Sequence, residues 1–203
     1  MTMFEKKVDS AVAINSLLAR RWSGRAYDPL RAVAREQLLA LLEAARWAPS
    51  CYGDQPWRYI VCDRNVDAAS WQRALACLVE GNRSWARNAP VLLLSIAGSR
   101  FNHDSQPNRW AQHDTGAASM SLCVEATARG LMVHQMGGFD ADRAHESFAI
   151  PDDFVPMAMI TVGYQLPEQD IPEDLRAREH AARQRRPLAE TFYAGAWGSA
   201  FKP

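Results

Sequence analysis

The sequence predicts an α+β fold in which helices flank a sheet in a three-layer domain. Segments with helical periodicity and short apolar, strand-like runs follow one another along most of the 203 residues. The run 91–97 between Pro90 and Gly98 is apolar except for Ser95, which is typical of a strand covered on both faces. Hydrophobic residues make up 48% of the chain, enough for one domain with a substantial core.

The first part of the chain is expected to hold three helices and one strand. Apolar residues recur at helical spacing over 8–20 and again over 35–47. Pro49 ends the second helix, because the residue before a proline is pushed toward extended backbone. Residues 59–62 predict a buried strand, and Asp67 is expected to cap a third helix that runs to residue 79.

A polar loop is expected over 99–109, followed by the longest helix over 111–129. Gly130 suits the position just after that helix, where left-handed backbone is common. The helix is rich in Gly, Ala and Ser, whose small side chains let another backbone approach closely. We therefore expect it to lie centrally or at a subunit contact.

The last regular elements are expected to be short. A strand over 131–134 leads to a turn at Gly137 and Gly138, and Asp140 is expected to cap a helix that runs to residue 148. A final strand is predicted over 157–163.

The chain changes character over 165–203. A charged, proline-marked stretch leads to an aromatic tail over 192–201, whose rings are expected to be buried. The tail can fold back on its own chain or reach a second subunit. We interpret 1–203 as one domain with 165–203 as an extension that is expected to wrap a partner.

Composition excludes several classes of function. The 23 basic and 23 acidic residues balance to a formal charge of zero, which argues against nucleic acid or a membrane surface as the main partner. The four cysteines form no CxxC pair, so neither a zinc site nor a disulfide framework is expected. Residues 1–7 lack an apolar leader and no run of 18 apolar residues occurs, which indicates a cytoplasmic protein.

Two arginine-rich segments are candidate anion sites. The segment RRWSGR at 20–25 places three arginines, a hydroxyl and a glycine within six residues, a set that can cradle a phosphate. A second cluster, RQRR, lies at 183–186. The alternative for each is a solvated basic face at a helix end, which the helix dipole favours.

The connector 48–58 is the other informative stretch. It joins a helix to a strand through Ser, Cys, Tyr, Gly, Asp, Gln and Trp residues, and Gly53 can take positive φ there. Ordering such a segment is costly unless something packs on it. The alternative is a loop packed only against its own chain.

The familiar catalytic motifs are missing from the sequence. It contains no GxxxxGK[ST], no GxGxxG after a first strand, no GxSxG and no HExxH. The five histidines show no metal-ligand spacing. If the protein is an enzyme, a bound cofactor is expected to supply the chemistry.

Five segments taken in order resemble the FMN-dependent nitroreductase superfamily over nearly the whole chain. They are RRWSGR at 20–25, APSCYGDQPW at 48–57, GNRSWARNAP at 81–90, HQMGGFD at 134–140 and RQRRPL at 183–188. The resemblance implies a mixed, mainly antiparallel sheet flanked by helices and an intertwined homodimer. Two FMN molecules would lie at the interface, each touched by both subunits.

The resemblance also implies roles for particular residues. Arg21, Ser23 and Arg25 would hold the FMN phosphate and the ring edge, and Arg185 would close on the phosphate, with Arg183 or Arg186 as alternatives. The backbone of Gly137 and Gly138 would lie near flavin N5, so no side chain is assigned a catalytic role. The remaining residues expected at the flavin are Trp22, Pro49, Ser50, Cys51, Tyr52, Gly53, Gln55, Asn82, Gln135 and Met136.

The implied activity is hydride transfer from NAD(P)H through flavin N5 to a nitroaromatic, quinone or activated-alkene acceptor in two alternating half-reactions. The sequence departs from commoner members at Gly53, Gly137, Trp22 and Trp85. Two alternatives therefore stay open: a specialised flavin enzyme of this fold, for dehalogenation or flavin breakdown, and a non-catalytic FMN-binding protein.

Overall fold

The computed structural model describes residues 4–201 as a four-stranded sheet with helices on both faces. Residues 1–3, part of the segment expected to lack a leader, lie outside the described residues together with 202–203. The strands are β1 (Trp57–Asp63), β2 (Val91–Gly98), β3 (Met132–Met136) and β4 (Phe154–Gly163). The helices are α1 (Ser16–Arg20), α2 (Arg35–Arg46), α3 (Ala68–Ala76), α4 (Glu80–Ala86), α5 (Ala111–Ala128), α6 (Ala141–Ser147), α7 (Glu173–His180) and α8 (Leu188–Thr191).

The sheet has the order β1-β2-β4-β3, and each of these pairings is antiparallel. All eight residues of β2 are buried, which confirms the predicted strand with two covered faces. One face of the sheet packs on α2 and α5 through a cluster that includes Leu41 and Leu122, and the other packs on α3 and α4 through Trp71 and Trp85. The α+β, three-layer expectation is confirmed.

Helix α5 lies centrally within the chain, as its small residues predicted. Its buried face, which includes Ala118 and Leu122, packs on α2 and the sheet. Gly130 follows the helix with φ +70°, the left-handed backbone expected at that position. The cap predicted at Asp67 is also present, because its side chain accepts from the N–H groups of Ala69 and Ser70.

The N-terminal helix predicted over 8–20 is wrong in length, since α1 spans only five residues. Asn15 accepts from the N–H of Leu17 and begins the helix there. Upstream, the Ser10 hydroxyl donates to the Val12 carbonyl in a non-helical segment.

The third helix ends before residue 79, and a helix not predicted, α4, follows it. The reason is tertiary: Val79 N–H donates to the Gly138 carbonyl, and Leu78 pairs with Phe139. A backbone committed to these bonds cannot continue a helix.

The extension that starts at residue 165 begins on its own chain. Ile171 and Leu175 are buried in the α3–α4 side of the core. Farther along, the aromatic tail is exposed in the single chain, so its rings are not buried by folding back. Trp197 is 90% exposed, although its ring contacts Tyr193.

Candidate functional site

The first half of the candidate site is the arginine turn, residues 21–26, which runs from α1 to the sheet. Its end is fixed by backbone bonds, because Leu166 N–H donates to the Ala26 carbonyl. Its middle is crowded: a Cβ on Gly24 would lie 3.0 Å from the Trp22 ring and 3.1 Å from Glu179 Oε2, and would also clash with the Met132 sulfur. Glycine is therefore required by space at this position.

His134 supports the arginine turn from β3. Its Nδ1 lies 3.0 Å from the Gly24 carbonyl oxygen, and because that oxygen only accepts, Nδ1 carries the hydrogen. The pKa of His134 is lowered to about 4, chiefly by burial and also by the charges of Arg25 and Arg21, while the bond to the Gly24 carbonyl opposes the shift. The ring is therefore neutral near pH 7 and packs 4.7 Å from the Trp85 ring, over which Arg25 also lies.

The basic side chains of the site divide into two kinds. Arg183 donates to the carbonyl oxygens of Arg21 (2.8 Å), Lys6 (2.6 Å) and Ala19 (2.5 Å), and more weakly to that of Lys7 (3.3 Å). Four of its five N–H donors thus hold backbone, which gives Arg183 a scaffolding task in this chain, and its contact with a phosphate stays a prediction.

By contrast, no ion pair involves Arg21, Arg25 or Arg185 within residues 4–201. The charges of Arg21 and Arg185 add to burial in lowering the pKa of Arg183, which shows that positive charge is concentrated here. The result is a local basic patch in a chain with no net charge.

A groove of ≈ 810 Å³ opens beside this patch. Its walls combine apolar residues from 8–18, such as Ile14 and Leu18, with Arg21 and the segment 183–188. Such a groove offers an apolar surface and unpaired guanidinium groups to the same ligand. Arg185 and Arg186 are exposed along it, whereas Ser23 and Trp22 are half-buried in the arginine turn.

The double-glycine turn at Gly137 and Gly138 follows β3. Asn82 Nδ2 donates to the Gly138 carbonyl at 3.0 Å, so this amide shapes the turn. Met136, the last residue of β3, is buried in the core, and Gln135 reaches the other face of the sheet, where its amide contacts the Cys123 sulfur. From His134, which contacts the arginine turn, to Gly138 the chain covers about 13 Å, so one strand connects the arginine turn to the double-glycine turn.

The connector forms the second half of the candidate site and is strained. Tyr52 and Gln55 have φ values of 54° and 50°, and left-handed backbone costs about 1–2 kcal/mol in a non-glycine residue. Gly53, at φ +66°, confirms the positive φ expected for it. Ser50 Oγ accepts from the Gln55 N–H and closes the loop, while Pro49 is exposed before it.

These two halves lie at opposite ends of α5. The Cys51 N–H donates to Asp114 in the first turn of the helix (2.9 Å), whereas Arg21 and Thr127 line one pocket at its last turn. Thr127 lies 13 positions after Asp114 on the helix, which is a rise of about 20 Å. One chain therefore does not bring the connector to the arginine turn.

The sequence-based analysis missed Glu179, which is completely buried against the arginine turn. Nothing in the charged stretch around it distinguishes this residue from its exposed neighbours. His134 was assigned no role in the site for the same reason, because only its contact with Gly24 reveals it.

Comparison with known proteins identifies a solved structure and two sequences that this chain resembles. A solved structure described as an oxidoreductase containing FMN superposes with a TM-score of 0.87 at 35% identity, covering 98% of this chain and 100% of that one. An uncharacterised 15.4 kDa protein of Mycolicibacterium smegmatis is 34% identical over 125 residues, which cover 62% of this chain and 83% of the relative. The major NAD(P)H-flavin oxidoreductase of Aliivibrio fischeri is 41% identical over 49 residues, 24% of this chain and 22% of that protein.

The sequence model of the Nitroreductase family matches residues 18–164, well over half of the chain. This match spans the arginine turn, the connector, α4 and the double-glycine turn. It confirms the resemblance and supports a flavin-dependent NAD(P)H oxidoreductase. The chain belongs to the nitroreductase family.

Proposed function

We propose that the protein is an FMN-dependent oxidoreductase that takes hydride from NAD(P)H and passes it to a nitroaromatic, quinone or activated-alkene acceptor by a ping-pong mechanism. The observation that carries this proposal is a basic patch beside the groove, where Arg21 and Arg185 line the wall without an ion-pair partner among residues 4–201. Arg25 lies close by, since its charge acts on His134 together with that of Arg21. Guanidinium groups without carboxylate partners suit a phosphate monoester. The groove volume of ≈ 810 Å³ falls in the range of about 300–1,000 Å³ that is usual for ligand sites.

The residues present fit FMN. Arg21, Arg25 and Arg185, with the Ser23 hydroxyl, would hold the phosphate. The double-glycine turn would offer backbone N–H groups to the ring near N5, where a fixed donor needs no titrating side chain. Asn82 donates from Nδ2 to the Gly138 carbonyl. Its Oδ1 would therefore accept a hydrogen bond from the pyrimidine edge of the ring.

When bound, FMN supplies two-electron chemistry, with hydride accepted and released at N5. The protein would hold the ring and keep positive charge near it, which suits the negative charge that a flavin gains on reduction. His134 remains neutral at working pH and so adds no further charge to the arginine patch. The relatives named for FMN and for NAD(P)H-flavin oxidation support this assignment.

We also propose a homodimer, because the two halves of the site are about 20 Å apart along α5 in one chain. If two copies of α5 pack antiparallel about a two-fold axis, the connector of each copy meets the arginine turn of the other. Exposed apolar side chains on this layer of the fold support such a contact. They are Leu39, Trp47, Tyr52, Trp110 and Met120.

The extension 165–203 is proposed to continue onto the second subunit, with residues 1–203 as one domain. Its aromatic tail is exposed in the single chain, so a partner surface would give those rings the burial they lack. Within residues 4–201, no helix is long and apolar enough to cross a bilayer. All four cysteines are free thiols, which supports the reducing cytoplasm as the proposed location.

The absorbance spectrum of the purified protein, followed by anaerobic titration with NADH and with NADPH, tests the function. We expect a yellow protein whose flavin band bleaches with one of the nucleotides and returns on addition of a quinone or nitroaromatic compound. A colourless protein that does not take up added FMN would contradict the cofactor. Bound FMN that neither nucleotide reduces would instead favour the non-catalytic alternative.

A further inference from the structure

Glu179 is a buried carboxylate in α7, within the C-terminal extension. Its exposure is 0%, and the helix that carries it is anchored in the core by Leu175 and, just upstream, Ile171. The other acidic residues of α7, Glu173 and Asp174, are exposed. A carboxylate in such a place is costly unless the surrounding groups compensate for it.

The compensation comes from the arginine turn and the N-terminal segment. Arg25 N–H donates to Glu179 Oε1 at 2.9 Å. Burial raises the pKa of Glu179, while the N–H groups of Arg25 and Ala26 and the charges of Lys6 and Arg25 oppose that rise. Oε2 has no hydrogen-bond partner among the described residues and lies beside Gly24.

Glu179 and His134 hold opposite sides of one peptide group. The carbonyl of Gly24 lies against His134 Nδ1, and the N–H of the same peptide, on Arg25, donates to Glu179. In a trans peptide these two groups point in opposite directions, so two bonds set the orientation of its plane. One bond comes from β3 and the other from the extension.

The orientation of this peptide matters because the Arg25 side chain leaves the backbone next to it. The absence of a side chain at Gly24 lets the carboxylate come this close, since a Cβ there would lie 3.1 Å from Oε2. Contact with main chain alone leaves the guanidinium of Arg25 free for a ligand.

We propose that Glu179 is a positioning residue for the phosphate site. Its bond to the Arg25 N–H, together with the bond from His134 to the Gly24 carbonyl, directs the Arg25 side chain toward a phosphate monoester. Docking of α7 is thereby coupled to occupation of that site. The inference rests on the proposed function for the identity of the ligand as FMN. Since coupling between two events is reciprocal, FMN binding must in turn hold α7 in place.

Flavin binding by the full-length apoprotein tests the role of Glu179. Dissociation constants for FMN and for riboflavin, which lacks the phosphate, are measured by flavin fluorescence for the wild type, Glu179→Ala, Glu179→Gln and the exposed control Glu173→Gln. Loss of a charge-assisted bond predicts that Glu179→Ala weakens FMN binding by at least about tenfold. Riboflavin binding should change by less than about twofold, because only the phosphate end is misdirected.

Glu179→Gln retains an acceptor for the Arg25 N–H, so it should rescue FMN affinity to within about threefold of the wild type. An FMN-to-riboflavin ratio that is the same in Glu179→Ala and the wild type would overturn the role of Glu179 while leaving the proposed function intact. A wild type that binds neither flavin contradicts the proposed function, and the positioning role with it.

Amide exchange on the wild type gives a second measurement that needs no variant to fold. We expect the amides of α7 (Glu173–His180) to exchange more slowly with FMN bound than with riboflavin bound. Equal exchange with the two flavins would show that α7 is not coupled to the phosphate and would overturn the inference.

Discussion

Asn82 and Gly138 lie in contact across the turn that follows β3: the amide of Asn82 donates to the Gly138 carbonyl at 3.0 Å, and a Cβ on Gly138 would lie 2.6 Å from the same nitrogen. One side chain therefore shapes the turn and also requires glycine in it. Gly137, one position earlier, has open space around its own Cβ position.

Gly138→Ala should destabilise the protein while Gly137→Ala should not. The added methyl group at residue 138 meets Asn82 Nδ2 and lies 3.1 Å from Val79 Cγ2, and crowding of this kind costs about 1–3 kcal/mol. Urea unfolding of both variants measures the difference. Equal free energies of unfolding would show that the turn can relax around the methyl group.

Arg21→Ala should release FMN, whereas Arg35→Ala should not. Arg21 belongs to the unpaired basic patch, and a charge-assisted bond to phosphate contributes about 1.5–3 kcal/mol, or at least tenfold in affinity. Arg35 is exposed in the first turn of α2, away from the groove. The flavin-to-protein ratio after extensive dialysis measures the effect, and unchanged flavin content in Arg21→Ala would contradict the placement of the phosphate.

Arg183→Lys should loosen the N-terminal segment, whereas Arg185→Lys should leave it unchanged. The guanidinium of Arg183 holds carbonyls of Lys6, Ala19 and Arg21 at once, which a lysine ammonium cannot reproduce. We expect faster amide exchange over residues 16–21 and a loss of about 1–2 kcal/mol in stability. If the two variants behaved alike, the separation into scaffolding and ligand-binding arginines would be wrong.

His134 should make the protein less stable as the pH falls from about 6.5 to 4. Its pKa is about 4 in the folded chain and near 6.5 when unfolded, so in this window only the unfolded chain takes up the proton. The free energy of unfolding should therefore fall by up to about 1.4 kcal/mol per pH unit from this group. His134→Asn should show a flatter dependence, and the exposed control His103→Asn should retain the wild-type slope.

Gly116→Arg should disrupt the proposed dimer without unfolding the subunit. Nothing lies within 4 Å of a Cβ at Gly116 on α5, so the single chain accommodates a side chain there. If a second copy packs on this face, the arginine separates the copies and FMN is lost with them. Sedimentation velocity measures the mass, with Gly81→Arg on α4 as a control whose Cβ position is equally open. A Gly116→Arg protein that remains dimeric would place the interface elsewhere.

Elements governed by local sequence were the predictable ones. The bounds of α2 and α5, the fully buried β2 and the caps at Asp67 and Asp140 follow from periodicity and from side chains that bond their own backbone. Short-range physics decides each of them, so the pattern of residues was sufficient.

What could not be predicted depends on contacts between distant segments. The end of α3 is decided by the hydrogen bond from the Val79 N–H to the Gly138 carbonyl. The guanidinium of Arg183 donates to the Lys6 carbonyl, although the two residues are 177 positions apart in the sequence. The role of Glu179 also depends on a partner far away in sequence. Nothing in their local sequence signals these contacts, because the pairing arises only when the fold is complete.

The length of helix α5 sets the distance between the connector and the arginine turn. Inserting a single residue between Asp114 and Thr127 would advance one end by about 1.5 Å and turn it by about 100°, so the connector and the arginine turn would fall out of phase. Variation in length among related chains should therefore collect in the loop 99–109 and in the extension, while the span of this helix stays constant.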